Sequence, residues 1–92
     1  MKKDLPILNL EFFIEDLKKL ALEELSWCVF HYRNAFMDGD KDLQSYYSGE
    51  ISIFKWLLKM LNAKEEEIQE AIEKGEEEAR KMAEGDLLLV GV

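Results

Sequence analysis

One long segment of this chain contains nothing that interrupts a helix. Pro6 is the only proline and Gly39 is the first glycine, so the residues between them include neither of the two types that most disfavour a helix interior. Apolar residues recur there every three or four positions, which is the spacing of an amphipathic helix. With Asn9 as a suitable N-cap, the pattern predicts a first helix over residues 9–37.

Two further helices are predicted after a short turn. Gly39 can take the left-handed conformation that ends a helix, and Asp40 can cap the next one. The second helix is predicted over 41–61 and the third over 63–84. A short link between two long helices makes them antiparallel neighbours. The predicted fold class is therefore all-α, an antiparallel helical hairpin plus a third helix, in a single helical domain of residues 1–92.

Two glycines and one asparagine mark details of the later helices. Gly49 lies inside the second helix, where it lowers the helix propensity by about 1 kcal/mol relative to alanine or marks a close contact with another helix. Asn62, followed three positions later by Glu65, resembles a capping box at the start of the third helix. Gly85 is predicted to end that helix, and the apolar tail 86–92 is predicted to pack on the helical assembly.

The predicted first helix is apolar on nearly every side. Its broad core face carries nine residues: Leu10, Phe13, Ile14, Leu17, Ala21, Leu25, Cys28, Tyr32 and Ala35. The opposite side, where a monomer would carry charge, also has four apolar residues: Phe12, Leu22, Phe30 and Met37. We expect a second copy of the chain to cover these four, as a homodimer that completes the bundle by self-association. The alternative is that they are singly exposed residues without a role, which are common on surfaces.

The other two helices have different apolar faces. The second is predicted to turn eight residues inward: Leu43, Tyr46, Tyr47, Ile53, Phe54, Leu57, Leu58 and Leu61. The third has a narrow stripe of mostly small residues: Ile68, Ala71, Ile72, Gly75, Ala79, Met82 and Ala83. Because small residues let two backbones approach closely, the third helix is predicted to lie tightly on the hairpin with its acidic face in solvent.

The negative charge is concentrated in the third helix. The chain has a formal net charge of −8, and residues 65–86 carry ten acids against three bases. Phosphate recognition depends on Lys and Arg, so we expect no nucleic-acid partner. A protein that imitates nucleic acid to block a basic partner is an alternative that rests on this helix alone.

The expected location is the cytoplasm. No apolar stretch approaches the roughly 20 residues that span a bilayer, so no membrane partner is expected. The start of the chain lacks the apolar core of a signal peptide. Cys28 is the only cysteine, which excludes a disulfide within the chain and fits a reducing compartment.

Three ionisable residues fall where apolar ones are expected. Glu24 and His31 lie within the face of the first helix, and Glu50 lies in the face of the second. Burying such groups costs several kcal/mol unless they are paired. Folding the hairpin about residue 40 places His31 opposite Glu50, so we predict a hydrogen bond between them that fixes the hairpin register.

A metal or acid–base site is the alternative interpretation of these residues. Cys28, His31 and Glu50 are candidate metal ligands, and Glu24, His31 and Glu50 are candidate catalytic groups of a small metal-dependent helical-bundle enzyme. However, Glu24 and His31 are about 10 Å apart along the axis at 1.5 Å per residue. The sequence also lacks Glu-x-x-His and Cys-x-x-Cys spacings, and no cofactor is predicted.

The sequence therefore favours a non-enzymatic protein-interaction or regulatory module that acts as a homo-oligomer. Its expected partner is itself, with another protein as a further possibility. An interaction module requires exposed apolar side chains, whereas an enzyme requires a water-accessible cavity at the acids.

Overall fold

The computed structural model describes the backbone of residues 10–91 and the side chains of residues 10–85. These residues form three helices: α1 (Leu10–Asp38), α2 (Lys41–Met60) and α3 (Glu65–Gly91). The all-helical fold class is thus confirmed for the described part of the chain. The predicted cap at Asn9 lies outside the described residues. The molecule is elongated, with principal extents of 64 × 26 × 22 Å.

The turn between α1 and α2 has the predicted chemistry. Gly39 has a φ of +73°, in the left-handed region. Asp40 is the N-cap of α2, and its carboxylate accepts a hydrogen bond from the Leu43 backbone N–H at 3.1 Å. Because the turn occupies only these two residues, α1 and α2 lie side by side and antiparallel.

The link between α2 and α3 differs from the prediction. Asn62 does not cap α3, because it takes a left-handed φ of 64° just after the end of α2. The residue before α3 is Lys64, whose backbone N–H donates to the Glu67 carboxylate at 2.9 Å. This is the reciprocal half of a capping box without a Ser or Thr partner. The asparagine therefore serves as a C-terminal residue of one helix, where its short side chain tolerates positive φ.

The third helix is longer than predicted. It continues through Gly85 to Gly91 instead of ending near Glu84. Arg80 pairs with Glu77 and Glu84 on the surface of this helix, and three consecutive leucines follow Asp86. Leucine is a strong helix former, so the propensity on both sides outweighs the single glycine. The side chains of the predicted tail lie outside the described residues.

Helix α1 is the central element of the fold. It packs against both α2 and α3, which have little contact with each other. Ser26 contacts Ala71, and Arg33 contacts Glu76 farther along both helices, so α1 and α3 run parallel. The other two helices therefore cover two sides of α1.

The contact between α1 and α3 is close, as predicted from the small residues of α3. Ala71, Gly75 and Ala79 are all buried. A Cβ placed on Gly75 would lie 2.9 Å from the Val29 Cβ and still closer to the Ser26 carbonyl oxygen, so only glycine fits. The buried Ser26 hydroxyl donates to the Ala71 carbonyl at 2.6 Å, which satisfies a polar group inside the contact.

The hydrophobic core is small and lies along the middle of α1. It is formed by Ala21, Leu25, Val29, Leu58, Ile68 and Ala71. The predicted core residues near the start of α1 are not part of it, since residues 10–16 are all exposed and Ala21 is the first buried residue. The reason is that α1 extends beyond the nearby ends of α2 and α3, so neither helix packs on its first turns. Gly49 makes no close helix contact, with nothing within 4 Å of an added Cβ.

Candidate functional site

This protein exposes many more large apolar side chains than it buries completely. Within residues 10–85, fourteen large apolar side chains are exposed, whereas the only large side chains with essentially no exposure are Leu25 and Leu58. Singly exposed apolar residues are normal on proteins, but contiguous sets of them mark interaction sites. The question is therefore whether the exposed residues share a face.

Two large exposed apolar residues of α1, Leu20 and Trp27, lie on the side away from α3. The α3 side is defined by Ser26, Val29 and Arg33, each of which contacts α3. At 100° per residue, Leu20 lies about 180° and Trp27 about 160° around the helix from Val29. These two side chains are 57% and 56% exposed. They therefore point away from α3.

The same side of α1 carries a regular stripe. Its members alternate in spacing by four and three residues: Phe13, Leu17, Leu20, Glu24, Trp27 and His31. Alternating spacings of three and four are typical of a helix that packs along its length on another helix. Leu20 and Trp27 in this stripe remain more than half exposed.

Helix α2 has a matching stripe with spacings of three and four: Leu43, Tyr46, Glu50, Ile53, Leu57 and Met60. The side of α2 toward α3 is marked by Ile51 and Lys55, which line a cleft with Ile72. Ile53 lies about 160° around α2 from Ile51 and is 58% exposed. The stripes of α1 and α2 together form one surface opposite α3, which we call the hairpin face.

The hairpin face corrects two predictions about α2 and the first helix. Leu43, Tyr46 and Ile53 were expected to point inward and are exposed. Phe13 was placed in the core of the first helix and is 61% exposed. A signal was present in the sequence, because α2 carries two interleaved stripes with the same spacing. Its second stripe is Tyr47, Ile51, Phe54, Leu58 and Leu61, which turns toward α1.

The four predicted interaction residues have different positions. Phe12 and Met37 are 70% and 52% exposed, and Phe30 is half-buried. Leu22 is half-buried and packs against the core near α3, so it is less exposed than Phe12 and Met37. The reason is that α3 covers the side of α1 on which Leu22 lies.

Each ionisable residue singled out from the sequence lies on the hairpin face or directly behind it. Glu24 is exposed, Glu50 is half-buried, and Cys28 is 3% exposed between them. Burial raises the pKa of the Cys28 thiol to about 11, and the negative charges of Glu50 and Glu24 add to the shift. The thiol is therefore neutral at physiological pH, which makes it a poor nucleophile.

His31 does not pair with Glu50. Its ring stacks on Tyr47, with ring centroids 5.2 Å apart and an angle of 17° between planes, and it meets Trp27 edge-on at 4.3 Å. No ion pair joins His31 to Glu50 in the part of the chain that the structure describes. The two-residue turn shifts the register, so that the residue beside His31 is Tyr47 and the predicted hydrogen bond is not formed.

The described residues do not assemble a metal site. No group of three or more His, Cys, Asp or Glu side chains is placed to hold an ion within residues 10–85. A catalytic role for Glu24, His31 and Glu50, and a metal-binding role for Cys28, therefore stay predictions.

A second concave surface lies between α1 and α3, away from the hairpin face. A groove of about 410 Å³ between α1 and α3 is lined by Arg33, Phe36, Met37, Ala79, Arg80 and Ala83, with Glu76 and Glu84 at its edges.

Comparisons with known proteins place no further constraint on the function. No family model matches this sequence, and neither the curated proteins nor the solved structures gave a significant match. Within residues 10–91, no helix is long and apolar enough to cross a bilayer.

Proposed function

We propose that this protein is a non-enzymatic interaction module that acts as a homodimer formed through the hairpin face, which completes a helical bundle. The observation that carries this proposal is the pair of apolar stripes on α1 and α2, which share one uncovered face. Leu20, Trp27 and Ile53 are each more than half exposed on it. Covering them would remove apolar surface from water, which is the main favourable term in protein association.

The size of the hairpin face is sufficient for a dimer. Helix α2 has 20 residues, or a length of about 30 Å at 1.5 Å per residue. Two helices packed about 9 Å apart present a face roughly 20 Å wide. The face is thus on the order of 600 Å² per copy, or about 1,200 Å² for both, which is at the lower bound for specific interfaces.

The charge distribution favours a second copy on this face over any arrangement that brings the α3 helices together. Residues 65–86 carry ten acids and three bases, so two α3 helices in contact would repel each other. The hairpin face lies on the opposite side of the molecule. A dimer formed there leaves both acidic helices outermost and in solvent.

Sedimentation velocity and native mass spectrometry of the full chain test the proposal. We expect a dimer that dissociates on dilution, and Trp27→Glu should shift it to monomer at concentrations where the wild type is dimeric. The matched control is Phe36→Glu, since Phe36 is 58% exposed and lies about 180° around α1 from Trp27. Circular dichroism would verify that both variants remain helical.

The outcomes separate clearly. A wild type that is monomeric at every concentration would contradict the proposal. It would favour a different protein as the partner that binds the hairpin face. An equal loss of dimer in both variants would contradict the assignment to the hairpin face. A stoichiometric ion in the mass spectrum, lost in His31→Ala, would instead favour the metal-dependent alternative.

We also propose a cytoplasmic location. It is supported by the free, buried thiol of Cys28, a state that a reducing compartment preserves.

A further inference from the structure

We infer that the second copy lies antiparallel on the hairpin face, with Glu24 of one copy opposite the partner's His31. The inference rests on the proposed homodimer and adds its register and polarity. It follows from the two polar members of the α1 stripe, from the His31–Tyr47 stacking that aligns α1 with α2, and from the bounds of α2.

The charged residues of the α1 stripe favour an antiparallel pairing of the two copies. Glu24 and His31 are the two ionisable members of the α1 stripe and lie seven residues apart, on the same side of the helix. A parallel pairing of two α1 stripes would set each glutamate beside its own copy, which is unfavourable. An antiparallel pairing sets the acid of one copy against the imidazole of the other, twice, as two-fold symmetry requires. An imidazole N–H can donate to a carboxylate in either protonation state.

The same pairing fixes the register of the two copies along their helices. The two-fold axis that pairs Glu24 with the partner's His31 crosses α1 midway between them, at Trp27 and Cys28. Because His31 stacks on Tyr47 and the helices are antiparallel, this level of α1 corresponds to Glu50 and Ile51 on α2.

That level is also the midpoint of α2, which runs from Lys41 to Met60. The axis that pairs Glu24 with the partner's His31 therefore places the two α2 helices over each other along their full length. No other register pairs Glu24 with the partner's His31, and any shift along the helices would uncover part of the α2 stripe. Two independent features, one on each helix, thus select the same arrangement.

The same two-fold axis has the opposite effect on the second glutamate of the hairpin face. Glu50 lies at the level of the axis, so it faces its own copy across the interface. Two carboxylates held together repel, and the charge is a cost to assembly in the same way as a polar residue in a coiled-coil stripe. Glu24 and Glu50, although chemically identical, are therefore expected to act on the dimer in opposite directions.

Charge reversal in the full chain tests the arrangement. Dimer dissociation constants are measured by sedimentation velocity for wild type, Glu24→Lys, His31→Glu and the double variant. Each single change creates two like-charged or unpaired contacts and should raise the dissociation constant about tenfold or more. The double variant restores the pairing in reverse and should return to within about threefold of wild type. A double variant weaker than both single variants would overturn the inference.

Glutamine substitutions give a second measurement that does not depend on introducing a new charge. Glu24→Gln should weaken the dimer, whereas Glu50→Gln should strengthen it, each by a factor of about three to ten. Glu73→Lys, on the exposed face of α3, is the control and should leave the dissociation constant unchanged. Weakening by both glutamine variants would contradict the placement of the axis.

Failure of the register is distinguishable from failure of the proposed function. A wild-type dimer that dissociates in Trp27→Glu but shows no rescue in the double variant would retain the proposed function and exclude this arrangement. A wild type without a dimer would remove both. Circular dichroism of every variant ensures that a loss of association is not a loss of fold.

Discussion

The two sides of α1 are built in different ways. On the side of α3 the contact uses small residues, so that Gly75 lies against Val29 and the Ser26 hydroxyl is bonded within the contact. On the hairpin face the same helix presents Leu20 and Trp27, which are large and more than half exposed. A covered side thus has close backbones and satisfied polar groups, whereas the open side has large side chains and no cover.

A solvent-facing helix surface in this same protein looks different from both. The outer face of α3 is dominated by glutamates, and Arg80 pairs there with Glu77 and Glu84. The hairpin face has two glutamates and one histidine among apolar residues. The hairpin face therefore resembles a contact surface that lacks its second half, and each of the following changes tests the difference between the two sides of α1.

Leucine truncation should give the largest contrast. Leu25 is 0% exposed, so Leu25→Ala should lower the free energy of unfolding by about 3 kcal/mol, through lost burial and a cavity. Leu20→Ala should lower it by less than about 1 kcal/mol in dilute, monomeric protein, and should instead weaken the dimer. Urea denaturation at low concentration measures both. Equal losses at the two positions would break the distinction between the covered and the open side.

Replacement of glycine by alanine should give the next largest difference in stability between a covered and an open position. Gly75→Ala places a methyl group 2.9 Å from the Val29 Cβ, and the forced separation of α1 and α3 should cost about 2 kcal/mol. Gly49→Ala is the matched control, because nothing lies within 4 Å of its added Cβ. It should stabilise the protein by about 0.5–1 kcal/mol through helix propensity. Thermal unfolding of the two variants gives the signs, and a gain at Gly75 would contradict the close contact.

The pH dependence of stability tests the surroundings of Cys28. Burial, aided by the negative charges of Glu50 and Glu24, raises the pKa of the folded thiol to about 11. An unfolded thiol ionises near pH 8.5, so the folded state holds its proton to higher pH. The resulting stability is complete below about pH 8.5 and is lost as the pH rises toward 11.

Between pH 8 and pH 10 the wild type should therefore lose about 1–2 kcal/mol more than Cys28→Ser, which has no thiol to titrate. Denaturant titrations at several pH values measure the difference. Parallel curves for the two proteins would show that the thiol is not buried behind the hairpin face as described.

The ion pair across the covered side should have the smallest effect. Arg33 and Glu76 lie 2.7 Å apart, with side chains that are 46% and 39% exposed. Such pairs contribute about 0.5 kcal/mol or less and are screened by salt. A double-mutant cycle with Arg33→Gln and Glu76→Gln, measured at low and high salt, checks this. A coupling much larger than that would place the pair among the main determinants of α3 docking.

Much of the fold could be predicted from the sequence because its signals are local. The uninterrupted segment before Gly39 and the cap at Asp40 each act within a few positions, and the small residues of α3 recur at a regular helical spacing. The bounds of α1 and α2 consequently agree with the predictions to within one residue.

The rest depends on how distant elements meet. Both stripes of α2 have the same spacing, and the sequence alone does not say which one turns toward α1. His31 meets Tyr47 instead of Glu50 because the hairpin turn is one residue tighter than assumed, and one residue changes which side chains meet. The position of α3, which covers Leu22, follows from packing between residues more than forty positions apart.

Residues 10–16 form the first turns of α1, and every one of them is exposed. A helical segment of this length has too few internal hydrogen bonds to be stable on its own in water. Its amides should therefore exchange with solvent through local unwinding in a lone protomer, whereas those near Leu25 should exchange only through global unfolding. One continuous rod thus behaves as two cooperative units, and the first can open and close while the rest of the molecule stays folded.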